Sequence, residues 1–384
     1  MSQDIGDFVT ASCELLGFGE PTHREPAFAR TRNELLARLV DRGFRSIALE
    51  TDRVAALAVD DFVREGVGAL DAVMAEGFSH RFGEHAANRE LVAWLREHNE
   101  NRPARERVAF HGFDTPVEMT SAPSPRRYLQ HARDYLGPDP GVPDVADLAG
   151  ADERWSRAEA VMDPAASIGG TPGAHALRVV ADDMLVALHS RAPRLIAATS
   201  RAEWSRARTH LTAGLGLLRY HGQSARRVDE ADRLSRMLAT RDALMAGNLL
   251  DIREAEARRG ATLVFAHNRH LQRSPSRWLW GELDLRWSGT GAVVGSLLGE
   301  RYAFVAGSLG RSAALGLAEP AADTYEGALQ RRGPAWALTR ATAIAPARTR
   351  ADTTPEQGYF PLDRETLDGT DAVLHIGDGA PGAA

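Results

Sequence analysis

Side chains that can transfer protons or donate hydrogen bonds follow four hydrophobic segments of this 384-residue chain. They are Glu20 and His23, Glu50 and Asp52, His111 and Asp114, and His267, Asn268 and His270. Imidazole, with a pKa of about 6.5, accepts a proton from water near neutral pH, and a carboxylate on its other ring nitrogen stabilises the imidazolium. These residue types indicate general base chemistry on water, as in the hydrolysis of an ester or lactone.

His23 is the candidate general base. Its carboxylate partner could be Glu20, three residues upstream, or Glu50, at the end of a neighbouring strand. Glu20 could instead cap the following helix, and Glu50 could form a strand-end salt bridge. We keep both as candidate catalytic residues.

The tetrahedral intermediate of ester hydrolysis needs donors where negative charge develops on oxygen. Arg32, His267 and His270 are the available donors. His267 could equally protonate the leaving alkoxide, so the sequence leaves its role open. Asn268 is expected to position loops, and a histidine inside a strand, such as His111, is more typical of a core than of a catalyst.

Strand-like and helical segments alternate in the first part of the chain. Apolar runs predict strands at 15–19, 45–50 and 107–114, and helical spacing of apolar residues predicts a helix over 27–42. A strand, helix, strand unit of this length implies parallel strands with a right-handed crossover. The carboxyl ends of such strands meet at one edge, where open α/β sheets bind ligands.

In the later part of the chain, the spacing of apolar residues first becomes helical and then returns to that of strands. Helical stripes run through 174–259, and strand patterning returns at 261–266 and 371–376. Between these strands, residues 292–298 and 302–306 are predicted to form a β-hairpin.

Together these patterns predict a three-layer α/β fold with a mostly parallel central sheet and a large helical insertion. Residues 1–120 and 256–384 would form the catalytic core, and residues 121–255 a cap over the cleft. Trp155 and Trp204 of this cap are expected to line a site for a medium-sized organic substrate.

Composition and charge argue against several classes of function. A net charge of -6 gives no electrostatic reason to expect nucleic acid as a partner. The single cysteine, Cys13, allows neither an intrachain disulfide nor a thiolate zinc cluster. No apolar run approaches the ~20 residues of a membrane span, so we expect a cytoplasmic protein that does not bind membranes.

Two familiar patterns are incomplete. The glycines in Gly307-Ser308-Leu309-Gly310 lack the spacing of a nucleophile elbow. His80 and His85 match no zinc-protease spacing and are expected to form a solvated pair.

Three motifs resemble, in their order and spacing, those of the erythromycin esterase family, which includes erythromycin esterase-like and succinoglycan biosynthesis-type proteins. They are Gly19-Glu20-Pro21-Thr22-His23 with Arg32 nine residues on, Ala48-Leu49-Glu50, and Ala266-His267-Asn268-Arg269-His270. Gly112-Phe113-Asp114 and Arg241-Asp242 also look similar to that family, and the resemblance extends over residues 17–376. Arg24 departs from it, because the family usually has glycine at this position.

The resemblance implies a metal-independent carboxylic ester hydrolase without a cofactor. Its substrate would be macrolide-like or another natural product, in antibiotic resistance or natural product biosynthesis. The candidate catalytic residues are His23, Glu20, Glu50, Arg32 and His267, and the candidate substrate-binding residues are His270, Asn268, His111, Asp114 and Arg241. Arg32 is included because of the resemblance; alone it would be expected on a solvated helix face.

Two other functions remain open from the residues. The same base and donors could serve a lyase, cyclase or acyl transferase acting on a natural-product intermediate. Alternatively, the histidines and carboxylates could bind a metal ion or haem without catalysis. A small molecule is the expected substrate or ligand, and the chain is expected to be a monomer or homodimer.

Overall fold

The computed structural model describes residues 4–138, 143–330 and 335–379. The predicted core and insertion ranges also include residues 1–3, 139–142, 331–334 and 380–384, which lie outside the described residues. None of the described helices has both the length and the apolar character needed to span a bilayer.

The described residues form nine strands, seven of them in one sheet. The strands are β1 (Leu15–Glu20), β2 (Ser46–Asp52), β3 (Ala109–Asp114), β4 (Thr262–His267), β5 (Ser276–Trp280), β6 (Leu283–Trp287), β7 (Tyr302–Arg311), β8 (Trp336–Arg340) and β9 (Ala372–Asp378). The central sheet has the order β3-β2-β4-β1-β7-β9-β8, and its neighbours are parallel except for β8 and β9. β5 and β6 form a separate antiparallel hairpin.

Helices connect most of the strands. In the described residues they are α1 (Pro26–Val40), α2 (Ala56–Glu65), α3 (Leu70–Glu76), α4 (Ala86–Asn99), α5 (Arg126–Leu136), α6 (Val145–Ala149), α7 (Glu153–Ser156), α8 (Ala158–Met162), α9 (Pro172–Ser190), α10 (Ala192–Ala198), α11 (Arg201–Ser224), α12 (Glu230–Glu256), α13 (Asn268–Leu271), α14 (Thr290–Leu298), α15 (Tyr325–Gln330) and α16 (Arg364–Asp368). α1 begins at Pro26 because the Glu25 side chain accepts a hydrogen bond from the backbone N–H of Ala27 and proline needs no donor partner in the first turn.

Helices cover both faces of the central sheet. On one face, Leu35 of α1, Val59 of α2 and Leu91 of α4 belong to a core shared with the strands. On the other face, Met245 of α12 and Val294 of α14 belong to a second core with the strands. The two helical layers and the sheet between them confirm the predicted three-layer, mostly parallel α/β fold.

The register of the parallel strands brings several acidic and histidine residues to one edge. Glu20 at the end of β1 pairs with His267 at the end of β4. Leu49 of β2 pairs with Phe265 of β4, so Glu50 follows at the same edge. Asp114 ends β3, the strand beside β2.

Helices α5 to α12 lie between β3 and β4 in the chain. Leu129, Leu177 and Leu211, from α5, α9 and α11, belong to a helical core separate from the sheet. α12 packs on the sheet through its later part, which includes Met245 and Leu249. This long helix therefore links the helical region to the sheet.

The predicted hairpin over residues 292–306 is wrong. Residues Thr290–Leu298 form α14, and β7 pairs in parallel with β1 and β9. A short apolar run has the same composition in a buried helix as in a buried strand, so its periodicity alone could not distinguish them. The side chain and backbone N–H of Thr290 bind the Asp242 carboxylate at the first residue of this helix.

A candidate active site at the carboxyl edge of the sheet

His23 lies in the turn between β1 and α1, with Glu20 beside it. His23 Nδ1 is 2.8 Å from Oε1 of the buried Glu20, and the His23 side chain is 34% exposed. Burial acts to lower the pKa of His23, but the charge of Glu50 and the hydrogen bond with Glu20 outweigh it and raise the pKa above the usual value. His23 therefore has the carboxylate partner that a general base requires.

Glu50 lies between three cationic or basic side chains. Its Oε1 is 3.7 Å from His23 Nε2, 3.3 Å from His270 Nε2 and 3.5 Å from Arg241 Nη2. Its Oε2 accepts a hydrogen bond of 2.8 Å from the backbone N–H of His267. Burial acts to raise the pKa of Glu50, but these positive neighbours hold it well below the usual value. Glu50 is therefore a carboxylate at neutral pH.

His270 is held by a second buried acid. Its Nδ1 is 2.9 Å from Asp242 Oδ1, and the same carboxylate accepts hydrogen bonds from Trp287 Nε1 at 2.7 Å and from the Thr290 hydroxyl at 2.6 Å. Burial acts to lower the pKa of His270, but Asp242 and Glu50 raise it to about 10. His270 is thus an imidazolium that donates toward both carboxylates.

Arg241 joins this group to the end of β3. Its Nε donates to Asp114 Oδ1 at 3.0 Å, and its Nη2 donates to Asp114 Oδ2. Asp114 Oδ2 also lies 2.9 Å from Nε2 of His80, whose Nδ1 is 2.6 Å from Glu118 Oε2. Burial acts to raise the pKa of Asp114, but Arg241 and His80 lower it to about 2. In turn, the two carboxylates overcome the burial of His80 and raise its pKa to about 9.

His267 differs from its neighbours because it is neutral. Its ring centroid is 5.3 Å from that of His23, and burial together with the charge of His23 holds its pKa well below the usual value. Its Nδ1 accepts a hydrogen bond of 3.1 Å from the backbone N–H of Arg269, so its proton is on Nε2. This Nε2 is buried and has no hydrogen-bond partner among the described residues. His267 is therefore a neutral donor beside the candidate base.

Arg32 is buried below the site instead of lying at the surface. Its Nη1 donates to Asn88 Oδ1 at 2.9 Å, its Nη2 donates to Asn33 Oδ1 at 2.7 Å, and its Nε donates to the same Asn33 oxygen at 3.1 Å. The guanidinium also lies 4.8 Å from the centre of the Phe265 ring. These contacts engage all three guanidinium nitrogens, although Arg32 borders a small cavity next to Glu20.

Two other candidates form hydrogen bonds with groups outside the His23 cluster. His111 Nε2 is 3.0 Å from Oε1 of Glu256, the last residue of α12. At about 1.5 Å per residue, Glu256 is roughly 20 Å along the helix from Asp242. Asn268 donates to the carbonyl of Gly307 at 2.8 Å and accepts from its N–H at 3.0 Å, so it connects the ends of β4 and β7.

Two cavities meet at His23. The larger, with a volume of about 450 Å³, is lined by His23, Arg24, Glu50, His80, Phe82, His85, Glu118, Met119, Tyr220, Leu234, Met237, Leu238, Arg241, Trp278, Trp280 and Leu285. The smaller, of about 240 Å³, shares His23, Glu50 and Phe82 with it and also borders Glu20 and Arg32. His267 and His270 line neither cavity, although they lie against residues that do.

Trp155 and Trp204 do not line these cavities. Their indole N–H groups donate to the carbonyls of Ala149 and Leu188, inside the helical core. Trp278 and Trp280 of β5 line the larger cavity instead. The strict alternation of apolar and charged residues in Leu283-Asp284-Leu285-Arg286-Trp287, preceded by a turn at Gly281, is the sequence signal that could have identified this hairpin.

The interpretation of His80 and His85 as a solvated pair is wrong for His80. The His80 side chain is only 15% exposed and bonds to two carboxylates, while His85 is exposed at the cavity. His80 and its neighbour Arg81 have positive φ angles of 56° and 58°, which is uncommon for residues other than glycine. This irregular loop has no periodic pattern from which its contacts could have been predicted.

The described residues offer proton transfer and hydrogen bonding at this edge. No group of three or more histidine, cysteine, aspartate or glutamate side chains among them is arranged to hold a metal ion. The available groups are a half-exposed imidazole between two carboxylates, a neutral imidazole donor, and an arginine and an imidazolium fixed by buried acids.

Comparison with known proteins identifies one matching protein family. A model of the family described as erythromycin esterase matches residues 39–378. That range includes Glu50, Arg241 and His267 and begins after His23. No curated protein sequence matches the chain significantly.

Three solved structures share the fold. A protein from Bacillus cereus has a TM-score of 0.71 at 15% identity, over 97% of this chain and 90% of its own. A mutant of the erythromycin esterase EreC, in its open conformation, has a TM-score of 0.70 at 18% identity, over 100% of this chain and 96% of its own. A succinoglycan biosynthesis protein has a TM-score of 0.66 at 14% identity, over 97% and 89%.

Proposed function

The chain belongs to the erythromycin esterase family, and from that premise we propose that it hydrolyses a carboxylic ester or lactone with water activated at His23. The position of the His23 imidazole between Glu20 and Glu50 carries this proposal. A base that is fixed on one side by a carboxylate and open to a cavity on the other is suited to removing a proton from water.

His23 Nε2 is the atom that takes the proton. Nδ1 donates to Glu20 Oε1 at 2.8 Å, which fixes the tautomer with its lone pair on Nε2. Nε2 is 3.7 Å from Glu50, longer than a direct hydrogen bond, so its lone pair is available to a water in the cavity. The carboxylates then stabilise the imidazolium as the water oxygen bonds to the carbonyl carbon.

Oxyanion stabilisation falls to His267 and Arg241 in this proposal, and not to Arg32. The Nε2–H of His267 has no described partner, and a neutral imidazole with a low pKa polarises a carbonyl without giving up its proton. Arg241 borders the larger cavity and supplies a fixed positive charge. Arg32, whose nitrogens are engaged by asparagines, supports the packing under Glu20.

The same His23 completes the reaction. Its imidazolium returns the proton to the alkoxide as the carbon–oxygen bond of the ester breaks, so the products are an acid and an alcohol. This sequence of steps uses no covalent enzyme intermediate. The serine in the Gly307 to Gly310 segment is fully buried and bonded to His375, which agrees with that assignment.

A natural product of moderate size suits the larger cavity. Its volume of about 450 Å³ falls in the range typical of small-molecule sites, and most of its wall is apolar or aromatic. A macrolide-like lactone is one substrate of this class. The helical region of residues 121–255 would act as the cap, because Tyr220, Leu234 and Met237 contribute to the wall.

Oxygen-labelled water tests the reaction directly. When a panel of esters and lactones is turned over in labelled water, we expect one labelled oxygen in the acid product. A lactone should gain the mass of one water, and an ester should give an acid and an alcohol whose masses together exceed that of the ester by one water. His23→Ala, checked for intact folding by circular dichroism, should reduce turnover by about 10²- to 10⁴-fold.

Other outcomes separate the alternatives. Loss of one water would indicate elimination, an unchanged mass would indicate cyclisation, and transfer of the acyl group to an added alcohol would indicate an acyl transferase. A trapped acyl-enzyme or full turnover by His23→Ala would contradict the proposed mechanism.

A further inference from the structure

The hairpin of β5 and β6 presents two tryptophans to the larger cavity. Trp278 and Trp280 are two residues apart on β5 and therefore point to the same face. Their ring centroids are 5.8 Å apart with an interplanar angle of 23°, so the indoles are stacked. Leu285 of β6 pairs with Trp278 and lines the same cavity.

These indoles are only partly covered by the protein. Both are of intermediate exposure, whereas Trp287 on the same face of the hairpin is 8% exposed. Trp287 donates to Asp242, but no described residue accepts a hydrogen bond from the indole N–H of Trp278 or Trp280. The two rings thus leave apolar area open to the cavity that also contains His23.

Hydrogen bonds to α12 hold the hairpin at the end of β6 that lies away from the turn. Trp287 Nε1 donates to Asp242 Oδ2 at 2.7 Å, and the backbone N–H of Arg286 donates to the Ser235 hydroxyl at 3.2 Å. Asp242 is also the acid that orients His270. The aromatic surface is therefore fixed relative to the reacting groups, which lowers the entropic cost of binding against it.

We propose that Trp278 and Trp280 form a subsite for a ring-bearing, apolar part of the substrate. The part of a stacked indole that its partner ring leaves uncovered contacts an aromatic ring or the C–H groups of a saturated ring over a larger area than it contacts a flexible chain. A ring also loses less conformational entropy on binding than an open chain of similar size. The proposal rests on the proposed function, since it places this ring beside an ester that reacts at His23.

Binding of amides tests the subsite separately from hydrolysis. The probes are N-cyclohexylcyclohexanecarboxamide and its open-chain counterpart N-hexylhexanamide, measured by ligand-observed NMR titration with the full chain. Trp278→Ala and Trp280→Ala should each weaken binding of the cyclic probe by roughly tenfold and change that of the open-chain probe much less.

Leu279→Ala is the matched control. Leu279 lies between the two tryptophans but points away from the cavity and is 62% exposed, so its truncation should leave both affinities unchanged. Thermal unfolding of each variant shows whether the hairpin still folds, and Trp→Leu variants keep an apolar side chain without a flat face.

The two proposals fail in different ways. Equal weakening of both probes, no weakening, or no binding of the cyclic probe by the wild type would overturn the subsite. If the cyclic amide binds as expected but the corresponding cyclohexyl ester is not hydrolysed, the subsite stands and the proposed reaction at His23 fails.

Discussion

The imidazole rings of His23 and His267 lie with their centroids 5.3 Å apart, although they come from opposite halves of the chain. Their pKa values are shifted in opposite directions. The two carboxylates raise the pKa of His23 against the effect of its burial, whereas burial and the charge of His23 lower the pKa of His267. One ring is therefore suited to hold a proton and the other to remain neutral. This division of roles leads to the first two predictions.

The pH dependence of turnover should reflect the raised pKa that the neighbouring carboxylates give to His23. Because Glu50 and Glu20 raise the pKa of His23, we expect the acid limb of the kcat/KM profile to lie above pH 6.5. Glu20→Gln removes a charge that favours the imidazolium, so the limb should move to lower pH while the maximum rate falls. A steady-state pH profile of both proteins measures this, and an unmoved limb would argue against His23 as the base.

Replacement of His267 distinguishes a hydrogen-bond donor from a proton donor. His267→Ala should lower kcat by about 10²- to 10³-fold with little change in KM, as expected for loss of one oxyanion donor. His267→Gln, which keeps an N–H donor but cannot transfer a proton, should recover part of the rate. If His267→Gln is as slow as His267→Ala on substrates with poor leaving groups but not on activated esters, the acid role would be favoured instead.

The polar ends of the strands could be predicted from the sequence because they follow apolar runs. Glu20, Glu50 and His267 each follow a run of buried, mostly apolar strand residues, and parallel pairing then brings them to one edge. The burial of Arg32 could not be predicted, because it depends on Asn88 and Phe265, which come from distant segments of the chain. Helical spacing places a residue on a face of its helix but does not say what packs over it.

The position of the two cavity-lining tryptophans and the partners of His80 could not be predicted from the sequence, for two different reasons. Strand β6, which pairs with the strand of Trp278 and Trp280, has an alternating pattern that predicts a hairpin, but nothing local places that hairpin over α12. His80 lies in an irregular loop, and its partners Asp114 and Glu118 are fixed only when β3 and the chain after it are in position. Contacts that depend on several long-range pairings at once leave no local signal.

The ion pairs of His80 should stabilise the fold at acidic and neutral pH and lose this contribution at alkaline pH. The folded pKa of about 9 exceeds the value of 6.5 for an unperturbed histidine, so the contribution is fully present below pH 6.5 and is lost as pH rises through 9. At about 1.4 kcal/mol per pKa unit the contribution is roughly 3 kcal/mol. His80→Gln should therefore be much less stable than the wild type at pH 6 and closer to it at pH 10.

Chemical denaturation at these two pH values measures the gap between the two proteins. His85→Gln is the control, since His85 belongs to the same loop but is exposed. A gap that stays constant with pH would show that His80 stabilises the loop by packing and not by its charge.

Substitutions at Gly19 and Asn268 should have non-additive effects on the free energy of unfolding. A Cβ added at Gly19 would lie 2.2 Å from Asn268 Oδ1, and that amide cannot move freely because it bonds twice to Gly307. Gly19→Ala should therefore destabilise the fold by about 1–3 kcal/mol, as expected for overpacking in a close-packed region. Asn268→Ala should also destabilise it, because the Gly307 groups lose their partner.

The double variant decides whether the clash is the cause. With Asn268 truncated, the alanine at position 19 loses its nearest obstruction, so the loss in the double variant should be smaller than the sum of the two single losses, as measured by urea unfolding. Gly222→Ala is the control, because a Cβ at this helical glycine would meet no atom within 4 Å apart from its chain neighbours and the backbone of its own helix, so the substitution should be neutral or stabilising. Additive losses would mean that the Phe304 ring or the Asn268 backbone, 3.1 Å and 3.2 Å from the added Cβ, and not the Asn268 amide, requires glycine at position 19.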